Sequence, residues 1–314
     1  MDKVTTMSYH PPLPVRSRDY QGHLLDSSRW DRFRPRPDDV VITTAYKAGT
    51  TWMQAIVGNL IFQGRDIPGA ILEMSPWIDM RVVPVEEMYD LIEAQTHRRF
   101  LKSHLALDGL RFFPEIKYIH VSRDLRDVFI SLWNHHRNYT DEALDSFRTF
   151  DDVVGWRYPD CPDNPGDFWR EWISRGAFPW EHDGYPYWSS PHHLATWWPY
   201  RHLPNILFVH YNDLLRDIEG EMRRIAEFLE IAVPETAWPA LTHAVSIDTL
   251  RNNAGSFMGR HGKSFKGGGK TFLNKGTNGR WRQVLDDDDM TAYRAAMDKT
   301  LDAEAAAWME NGRG

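Results

Sequence analysis

Within residues 45–54, AYKAGTTWMQ, stand Lys47, Gly49, Thr50 and Thr51, a set of groups suited to holding an anion. Gly49 lets the backbone approach a ligand closely, and threonines opening a helix present N–H groups at the positive end of its dipole. The order is unusual for phosphate chemistry. A loop that grips a nucleoside triphosphate puts its lysine after the last glycine, G-x-x-x-x-G-K-[ST], where it reaches the β- and γ-phosphates. Here Lys47 precedes Gly49 by two residues and Thr50 takes the lysine's place. A cation inside the loop points toward the bond being broken, which suits a single leaving-group oxygen better than a metal-bridged triphosphate tail.

A second reactive group is His104 in FLKSHLALDGL, with Lys102 two residues before it. Removing a hydroxyl proton near neutral pH calls for a base that titrates near the operating pH, and histidine starts closest. An arbitrary histidine among the 14 of this chain is a structural residue far more often than a base. The position at the end of an expected parallel strand reverses that, because open α/β sheets bind ligands beyond the carboxyl ends of their strands.

The elements that must carry these groups are legible as apolar runs. VVITTA (40–45), RFLKSH (99–104), KYIHVS (117–122) and ILFVHY (206–211) read as buried strands, each followed by turn chemistry or a helical pattern. Helices are expected at about 50–63, 85–96, 124–137 and 218–230, the last with Met222, Ile225, Phe228 and Leu229 on one stripe. Strand and helix alternating predicts a parallel sheet with crossover helices. The segment 151–200 differs: it holds seven of the 14 tryptophans with many prolines and glycines, and no period of two or 3.6 persists. It reads as an ordered, aromatic-lined cover over a site, against the plainer alternative of a second small core.

Composition narrows the function. Lys plus Arg total 37 against 44 Asp plus Glu, a net charge of -7, so the electrostatic footprint of a nucleic-acid binder is missing and any anion site is local. The amino terminus MDKVTTMSYHPPLP has neither a basic start nor an apolar core, and no run approaches the roughly 18 apolar residues of a membrane span, so a cytoplasmic protein is expected. The single cysteine, Cys161, excludes an internal disulfide and a multi-cysteine metal site, and reads as a plain loop residue. The runs GGGKTF (267–272) and HGKS (261–264) hold only the tail of a phosphate-loop motif and follow no strand. The acidic run Asp286 to Asp289 reads as a helix cap rather than a metal site.

Four motifs in order carry a resemblance to a known family. YKAGTTW is similar to the Y-P-K-[SA]-G-T-T-W loop of the cytosolic sulfotransferases, with the proline absent. FLKSHL resembles their F-[IL]-K-[TS]-H-L-P, and YIHVSRDLRDVFISLWNHH keeps the arginine-to-serine interval of Y-[VI]-x-R-[DN]-x-x-D-x-x-x-S-x-x-x-H with Arg123 and Ser131. FLNKGTNGRWRQVL resembles F-x-R-K-G-x-x-G-x-W-[KR], departing where Asn274 stands for the usual arginine. Softer echoes are HYNDLLRD with Tyr211, SIDTLRNN with Ser246, and HLATWW at 193–198. Together the matches span about 39 to 282.

The resemblance implies a P-loop-like, three-layer α/β fold with a central, mainly parallel sheet flanked by helices. It implies one domain over residues 1–314, with a core at 38–282 and an acceptor-site insertion at 151–200. The implied donor is 3′-phosphoadenosine 5′-phosphosulfate (PAPS), leaving adenosine 3′,5′-bisphosphate (PAP), with no metal. His104 is then the general base, Lys47 meets the departing phosphate oxygen and Lys102 the sulfuryl oxygens. Gly49, Thr50, Thr51, Trp52, Arg123, Ser131, Tyr211, Ser246, Lys275 and Gly276 become donor contacts, Trp52 stacking on the adenine and Arg123, Ser131 and Lys275 taking the 3′-phosphate. The implied acceptor is a small-molecule or lipid-like hydroxyl compound: a phenol, alcohol, sterol, lipid or glycolipid. Two rival readings are a P-loop kinase or triphosphatase, which requires a lysine after Gly49, and a non-catalytic nucleotide-binding module, which requires loss of the base. The dimerisation pattern K-x-x-x-T-V-x-x-x-E is not visible in RQVLDDDDMTAY, which leaves the oligomeric state open.

Overall fold

In the computed structural model, which describes residues 12–65, 67, 69–273 and 276–314, the four apolar runs form one parallel sheet. The strands are β1 (Val40–Thr44), β2 (Phe100–Ser103), β3 (Lys117–Ser122) and β4 (Ile206–His210), in the order β2-β1-β3-β4. In register, Ile42 faces Lys102 on one side and Ile119 on the other, while Val121 pairs with Val209.

Alternation along the strands divides the interior into two halves. Val41, Leu101 and Tyr118 point into one apolar core with Leu105, Leu125 and Phe129. Val40, Ile42, Phe100, Ile119 and Val121 point into the other with Met53, Ile56, Val57 and Met222. All five β1 residues are buried, as expected for a strand covered on both faces. The result is three layers. After β1 the chain crosses to β2 on one side and then to β3 on the other, so the carboxyl ends of β1 and β3 flank a switch point, where α/β sheets bind ligands.

The expected helices are present: α1 (Thr50–Phe62) and helices at Val85–Glu93, Leu125–His136 and Ile218–Phe228. Asp286 and Asp289 form a reciprocal capping box on the helix Asp287–Thr300, so the acidic run closes a helix end. Segment 151–200 is more regular than its sequence suggests. It contains helices at Pro165–Ser174 and Ser190–Trp197, the first started by Asn164 as N-cap and Pro165 in its first turn. Phe168, Trp169, Trp172 and Ile173 make its buried stripe, a short helical period masked by the surrounding turn residues. No helix among the described residues is long and apolar enough to cross a membrane.

Candidate active site

The loop after β1 is shaped by two left-handed residues. Lys47 has φ 62° and Gly49 φ 118°, and Gly49 is the N-cap of α1 with no side chain capping the helix. A non-glycine residue in this region costs about 1 kcal/mol, so the turn that presents Lys47 is held against a local preference. A Cβ on Gly49 would meet the Tyr211 ring at 3.0 Å, so glycine serves both the turn and the close packing. The uncapped first turn leaves backbone N–H groups at the positive end of α1 for an anion.

His104 lies one residue past β2 and is 1% exposed. Its Nδ1 donates to the Thr44 carbonyl at 2.8 Å, at the end of β1, which leaves Nε2 as the lone-pair nitrogen. That Nε2 is buried and has no hydrogen-bond partner among the described residues. Around the ring stand Tyr46, Trp77 and Trp188, with centroids 4.9, 4.7 and 5.4 Å away. Burial, followed by the nearby Lys102 charge, holds the imidazole well below the ordinary histidine range, so it is neutral at pH 7. Beneath it the buried Asp79 carboxylate accepts the His104 backbone N–H at 3.0 Å and the Trp77 indole N–H at 2.7 Å. No motif announces Asp79; a lone acid in PWIDM carries no sequence signal.

Arg123 follows β3 and ties the site to a distant loop. Its guanidinium lies 4.1 Å from the Tyr211 ring centroid and donates to Asn278 Oδ1 at 2.7 Å. The Tyr211 hydroxyl donates to the Gly276 carbonyl at 3.2 Å, and Asp127 Oδ1 accepts the Gly279 N–H at 2.7 Å. Asp127, unassigned in the sequence, therefore anchors the 276–279 loop; four residues before Ser131, it shares that residue's helix face. Arg126 instead pairs with Asp124 and lies over Trp281 and Tyr293.

One cleft of about 140 Å³ gathers Lys47, Gly49, Thr50, Thr51, Trp52, Lys102, His104, Arg123, Ser131, Tyr211 and Gly276. Trp52 meets Tyr211 edge to face at 5.2 Å and donates its indole N–H to Val245 O at 2.8 Å. Ser246 is not among these lining residues. The Ser246 hydroxyl caps the helix Ile247–Asn252, accepting from Thr249 N, and the wall there is made by Ile247, Leu250 and Arg251. Lys275, with Asn274, lies outside the described residues. The cleft gathers basic side chains whose charge is strained: burial, then Lys102 and Arg123, pushes the Lys47 amine down to about 7, and burial pushes Lys102 down to about 8. Each lysine lacks an anionic partner at salt-bridge distance among the described residues, the state expected of a site built for an anion.

A second recess of the same volume, about 140 Å³, adjoins the first and shares Tyr46, Thr51, Lys102, His135 and Phe272 with it. Its walls are mainly apolar, with Leu24, Leu72, Trp77, Met80, Val82, Ala143, Phe147 and Phe265, beside the hydroxyls of Ser146 and Ser264. The 151–200 segment adds no wall residue to this recess. Trp169, Trp172 and Trp197 are buried in the core, and of that segment's aromatics Trp188 packs on His104. Cys161 is half-buried, its thiol pushed up by burial to about 12, so it has no activated-thiol character. Among the described residues no three His, Cys, Asp or Glu side chains converge as a metal site.

Residues 37–305 match the family model described as the sulfotransferase domain. The chain belongs to the sulfotransferase family. A glycolipid sulfotransferase from Mycobacterium bovis is 29% identical over 310 residues, covering 94% of each chain. The crystal structure of mouse sulfotransferase SULT7A1 complexed with PAP superposes with a TM-score of 0.67 at 17% identity, covering 91% of this chain and 94% of that one. Retinol dehydratase in complex with androsterone and inactive cofactor PAP does so with a TM-score of 0.66 at 22% identity, covering 88% and 84%. The sulfotransferase thus carries its cationic cleft at the switch point of a sheet shared with PAP-bound enzymes.

Proposed function

We propose that this sulfotransferase moves a sulfuryl group from PAPS, bound in the cationic cleft, to a hydroxyl of an apolar or amphipathic acceptor seated in the second recess. The carrying observation is that a neutral, fully buried imidazole lines the same cleft as two lysines, its Nε2 without a hydrogen-bond partner and the lysines without anionic partners among the described residues. The PAP bound by the mouse enzyme supports the donor. The residues fit it: Gly49 clears the backbone, the first turn of α1 offers N–H groups, and Arg123 offers a planar fork suited to a phosphate.

In this reading His104 Nε2 takes the acceptor's hydroxyl proton as the oxygen attacks sulfur. Thr44 keeps the ring in the reactive tautomer, and Lys102 stabilises charge on the sulfuryl oxygens. Lys47 stabilises the phosphate oxygen as the S–O bond breaks. Arg123 and Ser131 hold the 3′-phosphate. The apolar walls of the second recess favour a lipid-like body, and Ser146 and Ser264 leave room for a sugar head group, in keeping with the mycobacterial glycolipid sulfotransferase.

The test is transfer from sulfur-35-labelled PAPS to a panel of 2-naphthol, a 3β-hydroxysteroid, a long-chain alcohol and a glucosyl lipid. Labelled ester on one or more lipid-like acceptors is expected. Failure of every acceptor together with failure to bind PAP would overturn the reading.

A further inference from the structure

Among the described residues, His135 is the one histidine that lines both recesses. It lies four residues after Ser131 in the helix Leu125–His136, so the two side chains share a helix face, Ser131 in the donor cleft and His135 at the passage between the recesses. Its ring is 5% exposed and packed by Tyr139, Phe265 and Phe272, with centroids 4.9, 4.7 and 5.4 Å away.

Both ring nitrogens are engaged, which separates this histidine from His104. Nδ1 lies 3.2 Å from Lys47 Nζ, and Nε2 lies 3.0 Å from the Tyr46 hydroxyl. The charged form of Lys47 has only donors, so opposite it Nδ1 accepts and the ring carries its proton on Nε2, which donates to the Tyr46 oxygen. The Tyr46 hydroxyl continues the chain to the Tyr139 hydroxyl at 3.0 Å. With no free lone pair, His135 cannot serve as the base. Its Nδ1 is the only hydrogen-bond acceptor that Lys47 Nζ has among the described residues, and the Phe272 ring, with its centroid 4.4 Å from Nζ, closes the other side.

A lysine side chain is a flexible four-carbon stem with many accessible rotamers. In a loop whose backbone is already in the left-handed region, something must aim it. We propose that His135 is the positioning residue for Lys47, holding its ammonium at the passage between donor and acceptor recesses. Tyr46, next in sequence to the lysine, fixes the imidazole from behind, so one short chain segment supplies both the cation and the lock on its holder. The inference rests on the proposed role of Lys47.

Single-turnover transfer is measured with the fastest acceptor of the panel above, in the native protein, His135→Leu, His135→Asn, Lys47→Ala and the double variant, with PAP affinity measured by calorimetry. His135→Leu is expected to slow transfer by about 10- to 100-fold, the cost of a misplaced catalytic group, with PAP affinity changed less than about 3-fold. His135→Asn, whose amide oxygen replaces the Nδ1 acceptor, is expected to recover most of the rate. In the Lys47→Ala background His135→Leu is expected to cost nothing more, because a pair acting as one unit is non-additive. A full additional loss in that background, or no recovery with Asn, marks a packing role and overturns the proposal. A loss in Lys47→Ala without one in His135→Leu overturns this proposal alone. Native turnover in Lys47→Ala overturns the lysine's role, and the inference with it.

Discussion

The Nδ1 of His104 donates to the carbonyl of Thr44 across 2.8 Å, joining the end of β2 to the end of β1. The parallel pairing that sets Thr43 opposite Ser103 therefore also fixes the tautomer of the candidate base. Sheet register and proton chemistry are linked through one hydrogen bond, and the nitrogen left over, Nε2, is the one without a partner among the described residues.

That relationship makes His104 separable from donor binding. His104→Ala is expected to lower turnover by on the order of 100-fold or more. PAP affinity, measured by calorimetry, should stay within a few-fold of the native value, because Arg123, Ser131 and the first turn of α1 are untouched. Lost affinity with unchanged turnover would place the histidine in binding.

Charge in the cleft makes donor binding a protonation event. Lys47 is pushed down to about 7 and Lys102 to about 8 in the ligand-free protein, first by burial. At pH 8 most of the Lys47 population and about half of Lys102 is neutral, and an arriving polyanion favours the charged forms. PAP binding at pH 8 is thus expected to take up protons, seen as a dependence of calorimetric heat on buffer ionisation enthalpy. The uptake should shrink at pH 6, where both lysines are already charged, and drop in Lys47→Met.

A different group ties stability to pH. Asp183 is 1% exposed, accepts from Ser189 Oγ at 3.1 Å, and is pushed up by burial to about 7; Glu181 nearby is raised as well. A carboxyl whose folded value exceeds its unfolded value of about 4 favours the folded state while protonated. Its contribution is complete below about pH 4 and is lost as pH rises through about 7. Asp183→Asn keeps an acceptor for Ser189 and removes the charge. Its Tm is expected to exceed that of the native protein at pH 8, with the gap narrowing towards pH 5, measured by thermal unfolding.

Much of this was legible in the sequence because it is local. A β-branched run, a glycine turn and a helix start are adjacent residues, so β1, the Lys47 loop and α1 could be read together, and strand-end logic singled out His104. Contacts made at long range were not. Asp79 is a lone acid with no neighbour in the chain to betray it, yet it holds the His104 backbone. Asp127 meets Gly279 across 152 residues, and His135 meets Lys47 across 88. Ser246 carries a local signal of another kind, its hydroxyl capping the helix Ile247–Asn252 in the way a serine before a helix commonly does. The tryptophans of 151–200 were legible only as composition, which reports that aromatic surface must be buried but not against what.

The second recess can be tested without knowing the natural acceptor. Ala143 is a small residue on its wall, in the helix Asp141–Arg148, and is absent from the lining of the cationic cleft. Ala143→Phe adds a ring on the wall of the recess, so it competes with the acceptor body while leaving Lys47, His104 and Arg123 in place. The KM for the acceptor is expected to rise about 10-fold or more, the scale of one or two lost hydrophobic contacts, with PAP affinity unchanged. Bulkier acceptors should lose more than slender ones, because the added ring removes volume rather than a specific bond. Equal KM values across the panel would mean that the acceptor enters elsewhere, along the His104 face bounded by Trp77 and Trp188.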